Sequence, residues 1–385
     1  MAVSISSGPK VYSLTSPPEK PEPYPPSDLI AQSIQYGDRT ILVTVPFPDT
    51  IALIAEVRNE HLSNPSSTGG GAKQIYKGVD KHLQEFIEVT KKETLLVPKP
   101  YVVAGEHAKA DFWIAYNSVE PLHRAHLTLQ RRSGQDYGIW SVRLEFSVSK
   151  ASPQGLVQLT AAVEEALPLV FEKVLPDFRV SRVDAAIDLV GIRPIDVIAR
   201  IKKPGKRLVY VGDQGEPESI YLYEKRKLLK EPPKSLTTKT TGPFRLKLYE
   251  RRDYFKQLLL EPPYGDCPVT RVETTKKWTN KKPSNRPLLS SLAKLSSPFA
   301  GTYVAYAANL AASQKRPQDW LAFCLAAFGG GVSTAQRKWP GGVGLNFRQT
   351  YSNCPGDLVQ PDCWDRWQDG LAYTGLSKWI VKAGT

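Results

Sequence analysis

Residues 139–148 (IWSVRLEFSV) alternate, with Val142, Leu144 and Phe146 on one side and Arg143, Glu145 and Ser147 on the other, the period of a half-buried strand. Ser152-Pro153 then opens a helix. In it Leu156, Leu159, Val163, Leu167, Val170, Phe171 and Val174 recur every three or four residues, an apolar stripe that can lie on a sheet. Pro176-Asp177 ends it, and residues 178–190 (FRVSRVDAAIDLV) alternate again, with Val183, Ala185 and Ile187 toward a core and Arg182, Asp184, Ala186 and Asp188 opposite. This pattern predicts a β-α-β unit. A second helix is expected near 194–202, with Ile195, Ile198 and Ile201 on one side, followed by strands at 207–211, 219–224, 244–251 and 269–275. Upstream, residues 40–46 (TILVTVP) read as a strand and the Ser/Gly run 63–71 as a loop. Downstream, residues 303–313 and 318–328 read as two helices, either a DNA-reading helix-turn-helix or a packed hairpin.

The fold class is therefore α+β: a central antiparallel sheet with β-α-β units and helices on one face, followed by a mainly helical C-terminal part. Three regions are expected. Residues 1–28 form a Pro-rich tail whose composition cannot bury enough apolar surface to order itself, residues 29–285 hold the predicted strands, and residues 286–385 form the mainly helical C-terminal part. The Lys/Pro/Thr stretch 230–242 reads as a long insertion. With 41% apolar residues in a chain of 385, a core forms without disulfide staples, and the four cysteines show no CxxC or Cys/His pairing that would mark a zinc site. No run of 18 apolar residues and no secretory signal is present, so a cytoplasmic protein without a membrane partner is expected. The net charge of +13 asks for an acidic partner, nucleic acid before a membrane surface.

The strands bring their charges to one face, which collects Arg143, Glu145, Arg182, Asp184, Asp188, Lys247, Tyr249, Arg251, Arg271 and Glu273. Four carboxylates on one buried face are costly unless cations or a metal compensate. Cross-strand ion pairs are one answer. A divalent ion is the other: Asp184, Asp188, Glu273 and neighbouring Glu145 offer hard oxygen ligands suited to Mg²⁺ or Mn²⁺, which polarise phosphoryl oxygens. Arg143, Arg182, Arg245 and Arg271 are candidate DNA contacts from the strands. So are Lys276, Lys277, Lys281 and Lys282, which begin a stretch, 274–316, holding eight Lys/Arg and no acid. His123 and His126 fall on opposite faces of a strand and do not form a joint ligand pair. Gly329-Gly330-Gly331 lacks the Lys-[Ser/Thr] ending of a phosphate loop and reads as a helix cap.

The segments SVRLEFSVSK, FRVSRVDAAIDL, VYVGDQGEPESIYLY, FRLKLYERRDYF and VTRVETTKKW, in this order, resemble the replication initiation factor family of small rolling-circle plasmids and some phages. Its members show R-x-E-F, T-R-x-D-x-A-x-D, G-x-P-E-T-x-Y, R-I-Y-[DN]-K and W-R-V-E segments, so the likeness covers about residues 137–280. The resemblance implies a divergent relative of the rolling-circle nicking-domain fold and a metal-dependent enzyme whose catalytic domain, residues 29–285, nicks one strand of origin DNA, with residues 286–385 as a C-terminal DNA-recognition region. It would keep a 5′-phosphotyrosine link and later re-close the strand. It also implies binding of double-stranded origin and single-stranded nick site, a homodimer, and recruitment of a host superfamily-one helicase. Tyr249 takes the nucleophile's place, 24 residues before Glu273, with Lys247 and Arg251 stabilising phenolate character. Its strand reads Lys-Leu-Tyr-Glu-Arg, a departure from R-I-Y-[DN]-K. Tyr223, in Tyr-Glu-Lys, is the alternative nucleophile, although Gly215–Tyr221 (GEPESIY) aligns its strand with the preceding motif. Two other readings stand beside this one: a DNA-binding protein without catalysis, and a family member used in DNA mobilisation or integration.

Overall fold

A computed structural model describes residues 27–37, 39–65, 72–92, 109–115, 124–133, 138–202, 204–211, 217–224, 244–251, 267–278 and 283–384. Most of the expected tail, the end of the Ser/Gly loop, the 230–242 insertion, His123, Lys281 and Lys282 lie outside them.

Among the described residues one large sheet is antiparallel in every strand pair. Its strands are β1 (Ile30–Tyr36), β2 (Arg39–Thr44), β3 (Phe47–Glu56), β4 (Lys109–Ala115), β5 (Arg124–Ser133) and β6 (Gly138–Ser147). To these it adds β7 (Arg179–Val190), β9 (Pro204–Val211), β10 (Pro217–Glu224), β11 (Phe244–Glu250) and β12 (Val269–Lys277). The order across it is β4-β5-β6-β3-β7-β12-β11-β10-β9. β2 runs beside the end of β7 and carries β1 on its other edge. The architecture is α+β, as the alternation of residues predicts.

α2 (Val148–Ala166) connects β6 to β7. β3 lies between these strands and is antiparallel to both, so the expected β-α-β unit forms in its split version. The helix differs from expectation at both ends. It begins at Val148, and it stops at Leu167, whose backbone is extended (φ −129°, ψ 149°) because the ring of Pro168 crowds the preceding residue out of the helical region. Val170, Phe171 and Val174 consequently fall in or beside the short α3 (Phe171–Val174). Leu156, Leu159, Val163 and Leu167 still enter the same core as Val142, Leu144, Phe146, Val183, Ala185 and Ile187. α1 (Ala72–Lys92) adds Val79, Leu83 and Ile87 to that core.

The helix expected at 194–202 is instead a 3-10 turn, Pro194–Asp196, followed by β8 (Val197–Ile201). Its Val and Ile residues are β-branched and lose rotamer freedom in a helix, whereas pairing with β13 (Thr302–Tyr306) satisfies their backbone. That pairing also removes the first half of the helix expected at 303–313, which shrinks to α4 (Ala307–Ala311). The chain continues through α5 (Pro317–Gly330), α6 (Val332–Lys338), α7 (Gly342–Asn353), α8 (Trp367–Tyr373) and α9 (Leu376–Lys382). Trp320, Phe323, Phe347 and Tyr351 make a second apolar cluster here. The last two helices return to the sheet: Trp379 lies 5.6 Å from Phe146 and 4.9 Å from Phe171, ring centre to ring centre. Gly370 sits so tightly on β3 that an added Cβ would fall 2.0 Å from the Pro46 carbonyl. Among the described residues no helix is long and apolar enough to cross a membrane.

Candidate functional site

Strand register assembles the polar face that the alternation predicts. Across β7 and β12, Asp188 faces Arg271 and Asp184 faces Thr275. Across β12 and β11, Arg271 faces Tyr249 and Glu273 faces Lys247. On the other side, Ala52 of β3 lies between Arg182 and Glu145. Residues from five neighbouring strands thus meet on one surface.

Arginine forks hold most of its carboxylates. Arg271 donates from Nε and Nη2 to the two oxygens of Asp188, each at 2.7 Å, and from Nη1 to Asp49 Oδ1 at 2.5 Å. Arg182 grips Asp184 with Nε, at 2.9 Å, and with Nη2, while its Nη1 donates to Glu145 Oε1 at 2.9 Å. Arg143 donates to Glu145 Oε2 at 2.7 Å. Lys247 Nζ stands 3.7 Å from Glu273 and 4.0 Å from the centre of the Tyr249 ring. Asp184, Asp188, Arg271 and Glu273 are all buried. Charge-assisted forks of this kind are short and directional, so they fix the side chains they join.

Asp49 is absent from the candidates the sequence offers. It sits at a register shift of β3, between Pro48 and Thr50, accepts from Arg271 and also accepts from Ser149 Oγ at 2.6 Å. The available signal was an acid near the start of a mostly apolar strand, FPDTIALIAE.

Burial and mutual repulsion set the protonation of this face. Burial pushes the Glu273 carboxyl up to about 7, helped by the charges of Asp49 and Asp184 and opposed by Lys247 and Arg271. Burial also raises Asp184 despite its arginine. Tyr249 is pushed well above the ordinary phenol value by burial and by Asp49, with Arg271 and Arg251 pulling the other way. Tyr249 is therefore a protonated phenol whose ionisation the two arginines favour.

The remaining candidates distribute differently. Arg251 is buried at the end of β11, two residues beyond Tyr249. The backbone of Arg245 is on β11, and its side chain lies outside the described residues. Tyr223 is on β10 past a register shift, beside Tyr210 and Tyr221, whose charges together with burial raise its pKa. No bond or ring contact joins it to the arginine network among the described residues. Lys276 donates to Ser296 Oγ at 2.9 Å and lies over Trp278, while Lys277 is exposed. Arg182 and Arg271 spend their donors on carboxylates, which leaves Arg143 as the more exposed arginine of the face. Gly331, at φ +83°, ends α5 as the cap reading expects. The helix-turn-helix reading keeps only a short remnant of its first helix, α4, because β13 takes residues 302–306.

Among the described residues one cluster has metal-ligand spacing: Glu60, His61 and Asp177, with ligand atoms within 4.8 Å. His61 Nδ1 accepts the Arg58 amide at 3.0 Å, so the neutral ring carries its proton on Nε2, 3.0 Å from Asp177. Arg58 also pairs with Asp177 at 3.1 Å. The cluster is thus occupied by its own cation and proton.

No family model matches the sequence, and no curated protein matches it.

Proposed function

We propose that this chain is a DNA strand-nicking and joining enzyme that uses Tyr249 as nucleophile at a rolling-circle origin. The observation that carries this reading is the placement of Tyr249 next to Lys247 on β11, opposite Arg271 on β12 and two residues before Arg251. A phenol surrounded by cations on a rigid sheet suits attack on a phosphodiester, where negative charge builds on the phosphoryl oxygens. In the forward step the Tyr249 oxygen bonds to phosphorus, the bond from phosphorus to the 3′ oxygen breaks, and the 3′ hydroxyl leaves with a proton. The reverse step rejoins the strand. Glu273, whose carboxyl burial pushes up to about 7 and whose negative charge opposes ionisation of Tyr249, is suited to take up the phenol proton and return it.

A divalent ion, expected from the carboxylate set, does not fit this set as folded. Both oxygens of Asp184, Asp188 and Glu145 already accept from guanidinium groups. Mn²⁺ titrated into the protein without DNA should therefore give no saturable binding that depends on Asp184 or Asp188. Origin DNA is the proposed partner, consistent with the net charge of +13. The homodimer and the helicase rest on the family resemblance.

A second reading, a DNA-binding protein without catalysis, draws on the same forks: a fully paired network also serves as a structural brace. The deciding experiment is incubation with supercoiled DNA carrying the native origin, with and without Mg²⁺, followed by denaturing detection of protein covalently joined to DNA. The enzyme gives nicked circles and an adduct. The binding protein gives neither.

A further inference from the structure

Between β8, the edge strand β9 and its neighbour β10, and the helices α5 to α7 lies a cavity of about 380 Å³. Ala199, Ile201, Leu222 and Val332 supply apolar wall, Tyr223 an aromatic one, and Arg200, Lys202 and Arg207 positive charge. Among the described residues no carboxylate lines it. The volume falls within the roughly 300–1,000 Å³ of small-molecule sites.

The two arginines differ from those of the sheet face in what holds them. Arg200 lies 3.9 Å above the Tyr303 ring and donates to the Cys354 carbonyl, from Nε at 3.2 Å and from Nη2 at 2.5 Å. Arg207 donates through Nη2 to the Phe328 carbonyl and also bonds to the Tyr351 hydroxyl, whose pKa burial raises against the pull of that arginine. Their partners are neutral. Carbonyl oxygens and aromatic rings orient a guanidinium without cancelling its charge, so among the described residues neither arginine is neutralised by a carboxylate. In addition, Arg207 Nε is buried and has no hydrogen-bond partner. A buried donor left unsatisfied on a cation costs free energy that an anionic acceptor would recover.

We infer that this cavity binds a nucleoside phosphate, with Arg207, Arg200 and Lys202 at the phosphate and Tyr223 with the apolar wall at the base. A phosphate alone would not need the apolar and aromatic side, and an apolar ligand alone would leave the cations uncompensated. Aromatic side chains accept any base face by stacking, so the site is suited to sequence-tolerant capture. The ligand chemistry is the same whether the unit is a free mononucleotide or one nucleotide of a single strand. This inference stands on the cavity itself and not on Tyr249 chemistry.

The test is calorimetric titration of the full chain with dTMP, with inorganic phosphate and with a ten-residue oligo-dT, repeated on Lys202→Glu and Val332→Trp. Lys202 is exposed, and Val332 is only partly buried at the start of α6, so both variants should fold, as a thermal melt verifies. Saturable dTMP binding, weakened at least tenfold by each variant and tighter than that of inorganic phosphate, supports the inference. Oligo-dT binding that both variants weaken alongside dTMP assigns the natural source to a single strand; oligo-dT that ignores both assigns it to free nucleotide. No dTMP binding, binding indifferent to both variants, or phosphate binding as tightly as dTMP overturns it. Adduct formation through Tyr249 is read separately, so either proposal can fail without the other.

Discussion

Tyr249 and Arg271 face each other across β11 and β12, and the guanidinium of Arg271 is at once forked on Asp188 and bonded to Asp49. The phenol is thus coupled to an arginine that the rest of the sheet holds in place. Removing either partner should therefore have separable effects on chemistry and on stability.

Tyr249→Phe removes the oxygen proposed to attack and leaves the ring over which Lys247 sits. Adduct formation should disappear while DNA affinity stays within about twofold of the native protein. Tyr223→Phe should keep the adduct, because Tyr223 stands outside the arginine network. An adduct that survives Tyr249→Phe and is lost in Tyr223→Phe would reassign the nucleophile.

Arg271→Met deletes the cation shared by two buried carboxylates. Breaking a buried pair from one side costs about 3–5 kcal/mol. Urea unfolding should show a loss of this size. Adding Asp188→Leu to Arg271→Met should recover part of it, since the second change removes a carboxylate that the first strands in the interior. A double variant as unstable as the sum of the singles would contradict the pairing.

Glu273 carries a pH signature whose sign follows from its raised pKa of about 7. In the unfolded chain the carboxyl loses its proton in the ordinary glutamate range, so between that range and about pH 7 the native state holds more protons. Stability is then fully present below the unfolded pKa and lost as pH rises through the folded one, at up to about 1.4 kcal/mol per pH unit. Glu273→Gln should flatten this part of the profile, and denaturant midpoints measured from pH 4.5 to 8 will report it. If Glu273 is also the proton acceptor for Tyr249, adduct formation in the native protein should rise with an apparent pKa near 7, and the Gln variant should lack that rise.

Replacing Lys276, Lys277, Lys281 and Lys282 together by Gln should weaken binding to every duplex sequence. Each phosphate contact removed should reduce the slope of log K against log salt by about 0.9. Fluorescence anisotropy across a salt series measures it. An unchanged slope would place the DNA elsewhere on the molecule.

Much of the polar face is legible in the order of residues alone, because a strand's side chains alternate with period two regardless of what the strand pairs with. Arg143 with Glu145, Arg182 with Asp184 and Asp188, Lys247 with Tyr249, and Arg271 with Glu273 share faces for that local reason. Helical periodicity likewise announces α2. What stays hidden depends on neighbours distant in the chain. Residues 197–201 look helical by spacing, yet they pair with 302–306 across a hundred residues, and that backbone pairing outweighs the local pattern. Asp49 joins the site only because β3 inserts between β6 and β7 and shifts register at Pro48. The sequence by itself determined which charges lie on one surface and that their burial needs compensation. Only the tertiary structure decided that arginine forks supply it, since hydrogen-bond geometry between strands is set by register and by the order of strands across the sheet.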